Sequence, residues 1–299
     1  NRARTLIGLK AKQQSPGTLA RDAFMEAVYQ SHPYANPNSG TEESITAITR
    51  DDIVGFYQQY YVANNALVAI VGDVDRKQAE AIAEDIVAGL AEGEKPAPLP
   101  NLDPLPDAGQ VFLDHPSAQT HILVGQPGLT RGDPDYFPLY VGNHVLGGGG
   151  MVSRLFEEVR EKRGLSYSAY SYFSPMRYEG PFIAGLQTKT EQVDEALSVL
   201  MDNIRKFIEN GPTEAELLAS KKNITGGYPL RIDSNKKILD YVVVIAYYGL
   251  PLDYLETFNA NVEAVTIEQI KDAFKRRVNP DKLATIMVGS RAQADETGS

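Results

Sequence analysis

The chain has 299 residues, 42% of them hydrophobic, enough to bury a substantial core in one large domain or two of ordinary size, and two is the starting expectation. With 29 basic against 39 acidic residues the net charge is -10, which excludes a general electrostatic attraction to nucleic acid or anionic lipid. The absence of cysteine excludes disulfides, thiolate metal sites and cysteine nucleophiles, and leaves the compartment open between a reducing cytosol and a cysteine-poor periplasm.

Asn1 falls inside what reads as a helix or strand, so an upstream segment, with or without a signal peptide, is expected. A first clear helix is entered through Ser15-Pro16, a second runs from Thr49 through Tyr61, an apolar strand covers Ala66–Val71, and a helix follows from Asp75 to Leu90. Between Glu92 and Asp107 the prolines at 96, 98, 100, 104 and 106 stand too close for a helix or a central strand, and predict an extended connector. Beyond it the pattern predicts strands at Gln110–Asp114 and Thr120–Gly125, then helices near Pro134–Leu146 and Val152–Arg163. Strands at Leu165–Ser174 and Pro181–Lys189 come next. A helical region from Glu191 to Val278 breaks near Gly211-Pro212, Gly226-Gly227 and Gly249-Leu250-Pro251, and a last strand spans Leu283–Val288. Clustered strands with helices between them predict an α+β sandwich. The longest apolar stretch, Tyr241–Tyr248, falls far short of the ~20 residues that cross a bilayer.

An internal repeat supports a duplicated architecture. Ala47–Gly72 aligns without gaps on Ala264–Gly289, with identities at Ala47/Ala264, Thr49/Thr266, Ile53/Ile270, Val71/Val288 and Gly72/Gly289, and with Tyr57 opposite Phe274. Each copy reads as a Thr-capped amphipathic helix, a polar turn and an apolar strand ending in Gly; two unrelated helix–strand units could share these ordinary core and cap residues. On the duplication reading, residues 1–92 are the C-terminal half of a first repeat, 93–108 a Pro-rich linker and 109–299 a second repeat.

The four histidines are His32, His115, His121 and His144, and none stands in H-E-x-x-H or H-x-x-E-H. His115 and His121 read as strand residues too widely spaced for a metal, and His32-Pro33-Tyr34 as a turn after a helix. Neither G-x-S-x-G nor a Walker A loop is present. The richest block runs from Gly147 to Tyr167: four glycines, Gly147, Gly148, Gly149 and Gly150, then Ser153-Arg154-Leu155-Phe156, Arg160-Glu161-Lys162-Arg163-Gly164-Leu165 and Tyr167. The glycines suit either a permissive turn between helices or close backbone approach by another chain. Arg160 flanks the apolar face of its helix, where it complements the helix dipole or holds a ligand, and Tyr167 is a core aromatic or a site residue.

This block resembles the C-terminal repeat of the M16 (pitrilysin / mitochondrial processing peptidase-like) metallopeptidases, whose signature is a glycine-rich turn, S-R-L-F, R-E-K-x-G-L-x-Y and an alternating strand. Further likeness lies in His32-Pro33-Tyr34 with Gly40-Thr41, in Phe56-Tyr57 and Tyr61 before Val71-Gly72-Asp73, and in Gln119 leading into its strand. The resemblance covers nearly the whole chain. It implies a duplicated fold of the LuxS/MPP-like metallohydrolase type, with antiparallel-rich sheets covered by helices. It also implies substrate-binding roles for Arg160, Tyr167 and Gly147–Gly150, the guanidinium and phenol holding the peptide backbone near the scissile bond, where such donors favour a developing oxyanion.

Departures from the family pattern are equally informative. Active members carry H-x-x-E-H in the first half of repeat one and a third zinc ligand, Glu, before a D-x-P turn. Matching Pro16 to that turn puts Ile7 and Gly8 where the Glu pair belongs, and Asn1–Met25 contains no Glu at all. The expectation is therefore a non-catalytic subunit without metal, paired with a zinc-bearing homologue or with itself, binding an extended peptide through the glycine-rich turn and an edge strand. A bacterial periplasmic location follows from the resemblance alone. The alternatives are an active zinc endopeptidase whose motif lies upstream, and a purely structural scaffold.

Overall fold

The computed structural model describes residues 1–103 and 109–291; Pro104 and Pro106 of the connector, and residues 292–299 of the expected second repeat, lie outside the described residues. Five strands, β1 (Gln110–Asp114), β2 (Gln119–Leu129), β3 (Ala169–Phe173), β4 (Gly180–Lys189) and β5 (Ala284–Gly289), form one sheet in the order β1-β5-β2-β4-β3. The β1–β5 pair is parallel and the others antiparallel. The helices are α1 (Arg2–Lys12), α2 (Pro16–Tyr29), α3 (Glu42–Ala47), α4 (Arg50–Tyr60), α5 (Arg76–Val87), α6 (Tyr136–Asn143), α7 (Arg154–Phe156), α8 (Val193–Asn210), α9 (Glu214–Gly227), α10 (Asn235–Tyr248), α11 (Tyr254–Ala264) and α12 (Ile267–Arg277). The α+β class expected from the sequence is observed.

Both faces of the sheet are covered. On one, Ala20, Phe24 and Val28 recur at the spacing of a single helical stripe along α2 and pack on Leu123, Ile183, Ile286 and Val288. Residues that precede the connector thus share a core with the sheet that follows it. On the other face Ile122, Val124, Phe182 and Ala184 meet α6, α8 and α12, with Phe207 and Phe274 in edge contact at 4.9 Å. The connector is pinned to the body: His32 Nε2 lies 3.1 Å from the Pro100 carbonyl and Tyr178 Oη donates to the Leu99 carbonyl at 2.6 Å.

The two copies of the repeated unit meet different fates. Thr49 and Thr266 both cap their helices with reciprocal side-chain bonds to the third helical residue. In the second copy Ile270 and Phe274 are 0% exposed and the strand pairs on both sides as β5. In the first, Ile53 is 61% and Tyr57 54% exposed, and Ala66–Val71 forms no strand. A strand exists only by pairing, and among the described residues no segment pairs with 66–71 to supply the ladder.

Three other boundaries differ from expectation around the glycine-rich block. The helix expected over 134–146 ends at Asn143 and widens into a π-helical turn, His144–Gly148. The one expected over 152–163 begins as α7 and widens into a second such turn, Glu157–Glu161. Finally, β3 starts at Ala169 rather than Leu165, because Leu165 is held elsewhere: its N–H donates to the Val159 carbonyl and its carbonyl accepts from Thr188 Oγ1. Among the described residues no helix is long and apolar enough to cross a membrane.

Candidate functional site

The glycine-rich block links α6 to α7 across the outer edge of β3. Gly147 is buried against the strand: a Cβ there would stand 2.3 Å from the Ser171 nitrogen and 2.4 Å from its Oγ. The close approach that glycine permits is thus made by the chain's own β3. Gly148 and Gly150 are exposed and Gly149 partly so; Gly150, at φ +63°, turns the chain into Met151-Val152. Asn143 completes the junction, its Nδ2 donating to the Ser171 carbonyl at 3.0 Å while its Oδ1 accepts from Ser171 Oγ at 2.7 Å. This occupies an edge carbonyl of β3, so a peptide cannot add as a continuous strand past Ser171; the freely available edge strand expected from the sequence is interrupted there.

Arg154 anchors the start of α7. Its guanidinium donates to both carboxylate oxygens of Glu216 at 2.5 and 2.6 Å and to the Gly211 carbonyl at 3.0 Å, and lies over the Phe207 ring at 5.2 Å. Burial pushes the Glu216 carboxyl up, but Arg154 and the capping N–H and hydroxyl of Thr213 outweigh it and bring the carboxyl down to about 2. This clamp ties the glycine-rich turn and the segment bearing Arg160 to α8 and α9.

Arg160 and Tyr167 stand on the two limbs of one turn, closed by Gly164 at φ +64° and by hydrogen bonds from Gly164 to Arg160 and from Leu165 to Val159. The Arg160 guanidinium carbon lies 4.8 Å from the Phe156 ring centre. Lys162 and Arg163 take the neighbouring carboxylates of Glu157 and Glu158, and among the described residues none pairs with Arg160. Tyr167 is 82% exposed, so the core-aromatic reading fails. Ser166 shapes its bend by donating to the Ser168 carbonyl and accepting from the Ser168 N–H, which leaves the phenol projecting into solvent. Both side chains are donors held by their backbone, and among the described residues neither has a hydrogen-bonding or acidic partner at its tip.

The histidines are dispersed. His32 is buried, its Nδ1 accepting from the Tyr34 N–H. His144 contacts Ser220 and Asn223, and burial lowers its pKa. His121, in β2, is likewise lowered by burial and then by the neighbouring His115. Among the described residues no group of three or more His, Cys, Asp or Glu side chains could hold a metal. Ile7 and Gly8, which the match to Pro16 sets against the family's Glu pair, sit on α1 with Ile7 exposed, and neither offers a donor side chain. Among the described residues no set of side chains fits zinc.

A cavity of about 490 Å³ opens beside the glycine-rich turn, lined by α6, by the edge of β3 and by Arg131 and Arg231. Sequence reasoning missed both arginines, which lie far apart along the chain with no local motif around either. It also missed the Arg154–Glu216 clamp, although Thr213-x-x-Glu216 is a legible capping box and Arg154 lies within S-R-L-F.

A five-stranded sheet layered with helices, a glycine-rich turn on its edge strand and an exposed Arg/Tyr pair beside it define an α+β domain of the peptidase type. The family model described as the peptidase M16 inactive domain matches residues 47–224, and the chain belongs to the M16 peptidase family. It is 31% identical over 236 residues to an uncharacterised zinc protease of Streptomyces coelicolor, covering 77% of this chain and 51% of that protein. It is 28% identical over 290 residues to the non-peptidase homologue YmxG of Helicobacter pylori, covering 96% and 66%. The chain therefore spans about half to two-thirds of the length of these relatives. Among solved structures, a peptidase M16 inactive domain from Pseudomonas fluorescens superposes with a TM-score of 0.93 at 37% identity, covering 97% of this chain and 69% of that one. A protease from Helicobacter pylori, at 20% identity and a TM-score of 0.85 over 96% and 70%, shares the fold.

Proposed function

We propose that this chain is a non-catalytic part of an M16 zinc peptidase, binding an extended peptide and completing the active site of a zinc-bearing homologue. The observation that carries the reading is the Arg160/Tyr167 turn: two donors seven positions apart, both exposed, neither with an acidic or hydrogen-bonding partner among the described residues, beside a glycine-rich turn clamped by Arg154. A guanidinium and a phenol so placed hold a peptide carbonyl and stabilise negative charge developing on it. Similarity to a non-peptidase homologue and the lack of metal-ligating side chains at Ile7 and Gly8 support a division of labour in which zinc belongs to the partner.

In this reading residues 1–92 are the C-terminal half of a first M16 repeat, residues 93–108 the linker and residues 109–299 the second repeat. The exposed Ile53 and Tyr57, whose counterparts Ile270 and Phe274 are fully buried, support that organisation, since each marks a face built to be covered.

The test is reconstitution. Mixing the chain with a zinc-bearing M16 homologue creates peptide-cleaving activity, and Arg160→Ala or Tyr167→Phe lowers it without loss of folding. Unchanged activity in both variants sinks the assigned role. Absence of activity with any partner favours a scaffold, and stoichiometric zinc bound to the chain by itself favours an autonomous peptidase.

A further inference from the structure

We propose that the cavity between α6, the Gly147–Gly150 turn and the β3 edge is a pocket for a carboxylate borne by the bound peptide, held by Arg131 and Arg231. The inference rests on the peptide-binding reading and specifies what that peptide carries.

Charge is the first argument. The chain is acidic overall, at -10, yet the cavity lining includes two arginines and no Asp or Glu. Among the described residues no carboxylate forms an ion pair with either arginine, whereas Arg154, Arg276 and Arg277 nearby in the fold are all paired with carboxylates. His144, which also lines the cavity, is engaged by Ser220 and Asn223, and its burial favours the neutral ring. The local excess of positive charge therefore belongs to the two guanidiniums.

Their placement is the second argument. Tyr136 and Tyr140, one turn apart on α6, stack with ring centres 5.8 Å apart and planes within 8°. The Arg131 guanidinium carbon lies 4.9 Å from the Tyr136 ring centre, and Arg231 Nη1 donates to Tyr140 Oη at 2.7 Å. Both cations thus line the same cavity against one aromatic stack, Arg131 held by Tyr136 and Arg231 by Tyr140 and Tyr241. Each guanidinium carries five N–H donors in a fixed fork. Tyr140 and Tyr241 both engage the Arg231 guanidinium, and the donors that remain in its fork, with those of Arg131, meet a planar carboxylate. The tyrosine faces, with Phe173 and Leu139, supply apolar surface for the carbon skeleton that bears the acid.

The third argument is the route of the peptide. Because Asn143 occupies the Ser171 carbonyl, strand addition along β3 is interrupted beside the cavity. A peptide passing there gains side-chain insertion where it loses a ladder bond. The shared chemistry is a carboxylate, and two sources supply it: an Asp or Glu side chain, or the peptide's own C-terminus.

Fluorescence anisotropy with four versions of one labelled short peptide separates them: internal Glu or its Gln counterpart, each with a free or an amidated C-terminus. Either Glu→Gln or amidation weakens binding about tenfold, as expected for loss of a charge-assisted pair, and names the source. Arg131→Gln and Arg231→Gln remove that difference, while Arg177→Ala, outside this cavity, leaves it intact. Circular dichroism and melting of each variant verify folding, and Arg131→Lys or Arg231→Lys retains part of the preference. Equal affinity for all four peptides overturns the pocket while peptide binding stands; no binding of any overturns the peptide-binding reading as well.

Discussion

Replacing Glu216 by Gln tests the clamp that positions the glycine-rich turn. In the native chain the carboxyl falls from the ordinary 4.5 to about 2, despite burial, because Arg154 and Thr213 favour the ionised form. A drop of that size corresponds to ~3 kcal/mol between the protonation states. The side chain keeps 32% of its surface exposed, and solvent screening reduces the contribution to ~1–2 kcal/mol. The native pKa lies below the unfolded one, so the stabilisation is fully present above about 4.5 and is lost as pH falls toward 2. Gln can still accept from the Thr213 N–H but carries no charge, leaving Arg154 over Phe207 without its counter-ion. Urea unfolding across this pH range should show Glu216→Gln less stable than the native chain by ~1–2 kcal/mol at neutral pH, the gap closing as pH falls toward 2. Parallel pH profiles for the two proteins would refute the assignment of the clamp to the ionised carboxylate.

Two further outcomes follow from the packing. Phe274→Ala, deep between Phe207 and Phe173, should cost ~3–5 kcal/mol in urea unfolding, whereas Tyr57→Ala at the matching place in the first copy should cost under ~1 kcal/mol; comparable losses would mean that Tyr57 is covered in the chain as it folds in solution. Gly147→Ala forces a methyl group against the Ser171 backbone and Leu155, so it should lower the melting temperature by an amount equivalent to ~1–3 kcal/mol, and an unchanged melting temperature would show that the turn does not pack on β3 as described.

Helix starts were the most legible feature, because their causes are local. Ser15, Thr49, Asp75 and Thr266 each accept a hydrogen bond from a backbone N–H of their own first turn, a contact that depends only on neighbours in sequence. The breaks at Gly211 and Gly249 were legible for the same reason, both residues adopting positive φ. The block from Gly147 to Tyr167 also stood out by its residue types alone, and it led to the family that the comparisons show.

What the sequence determined by itself is this set of capped helices, the glycine-rich turn and the family pattern, all of which depend on residues a few positions apart. Tertiary structure decided the rest. The same helix–strand pattern is buried and paired in one copy and bare in the other, since strand pairing and apolar burial require a partner that spacing cannot supply. Tyr167 became a surface donor instead of a core aromatic because Leu165 is tied to Val159 and Thr188, which delays the strand. The cavity beside β3 takes its charge only because folding brings Arg131 and Arg231 together against one tyrosine stack.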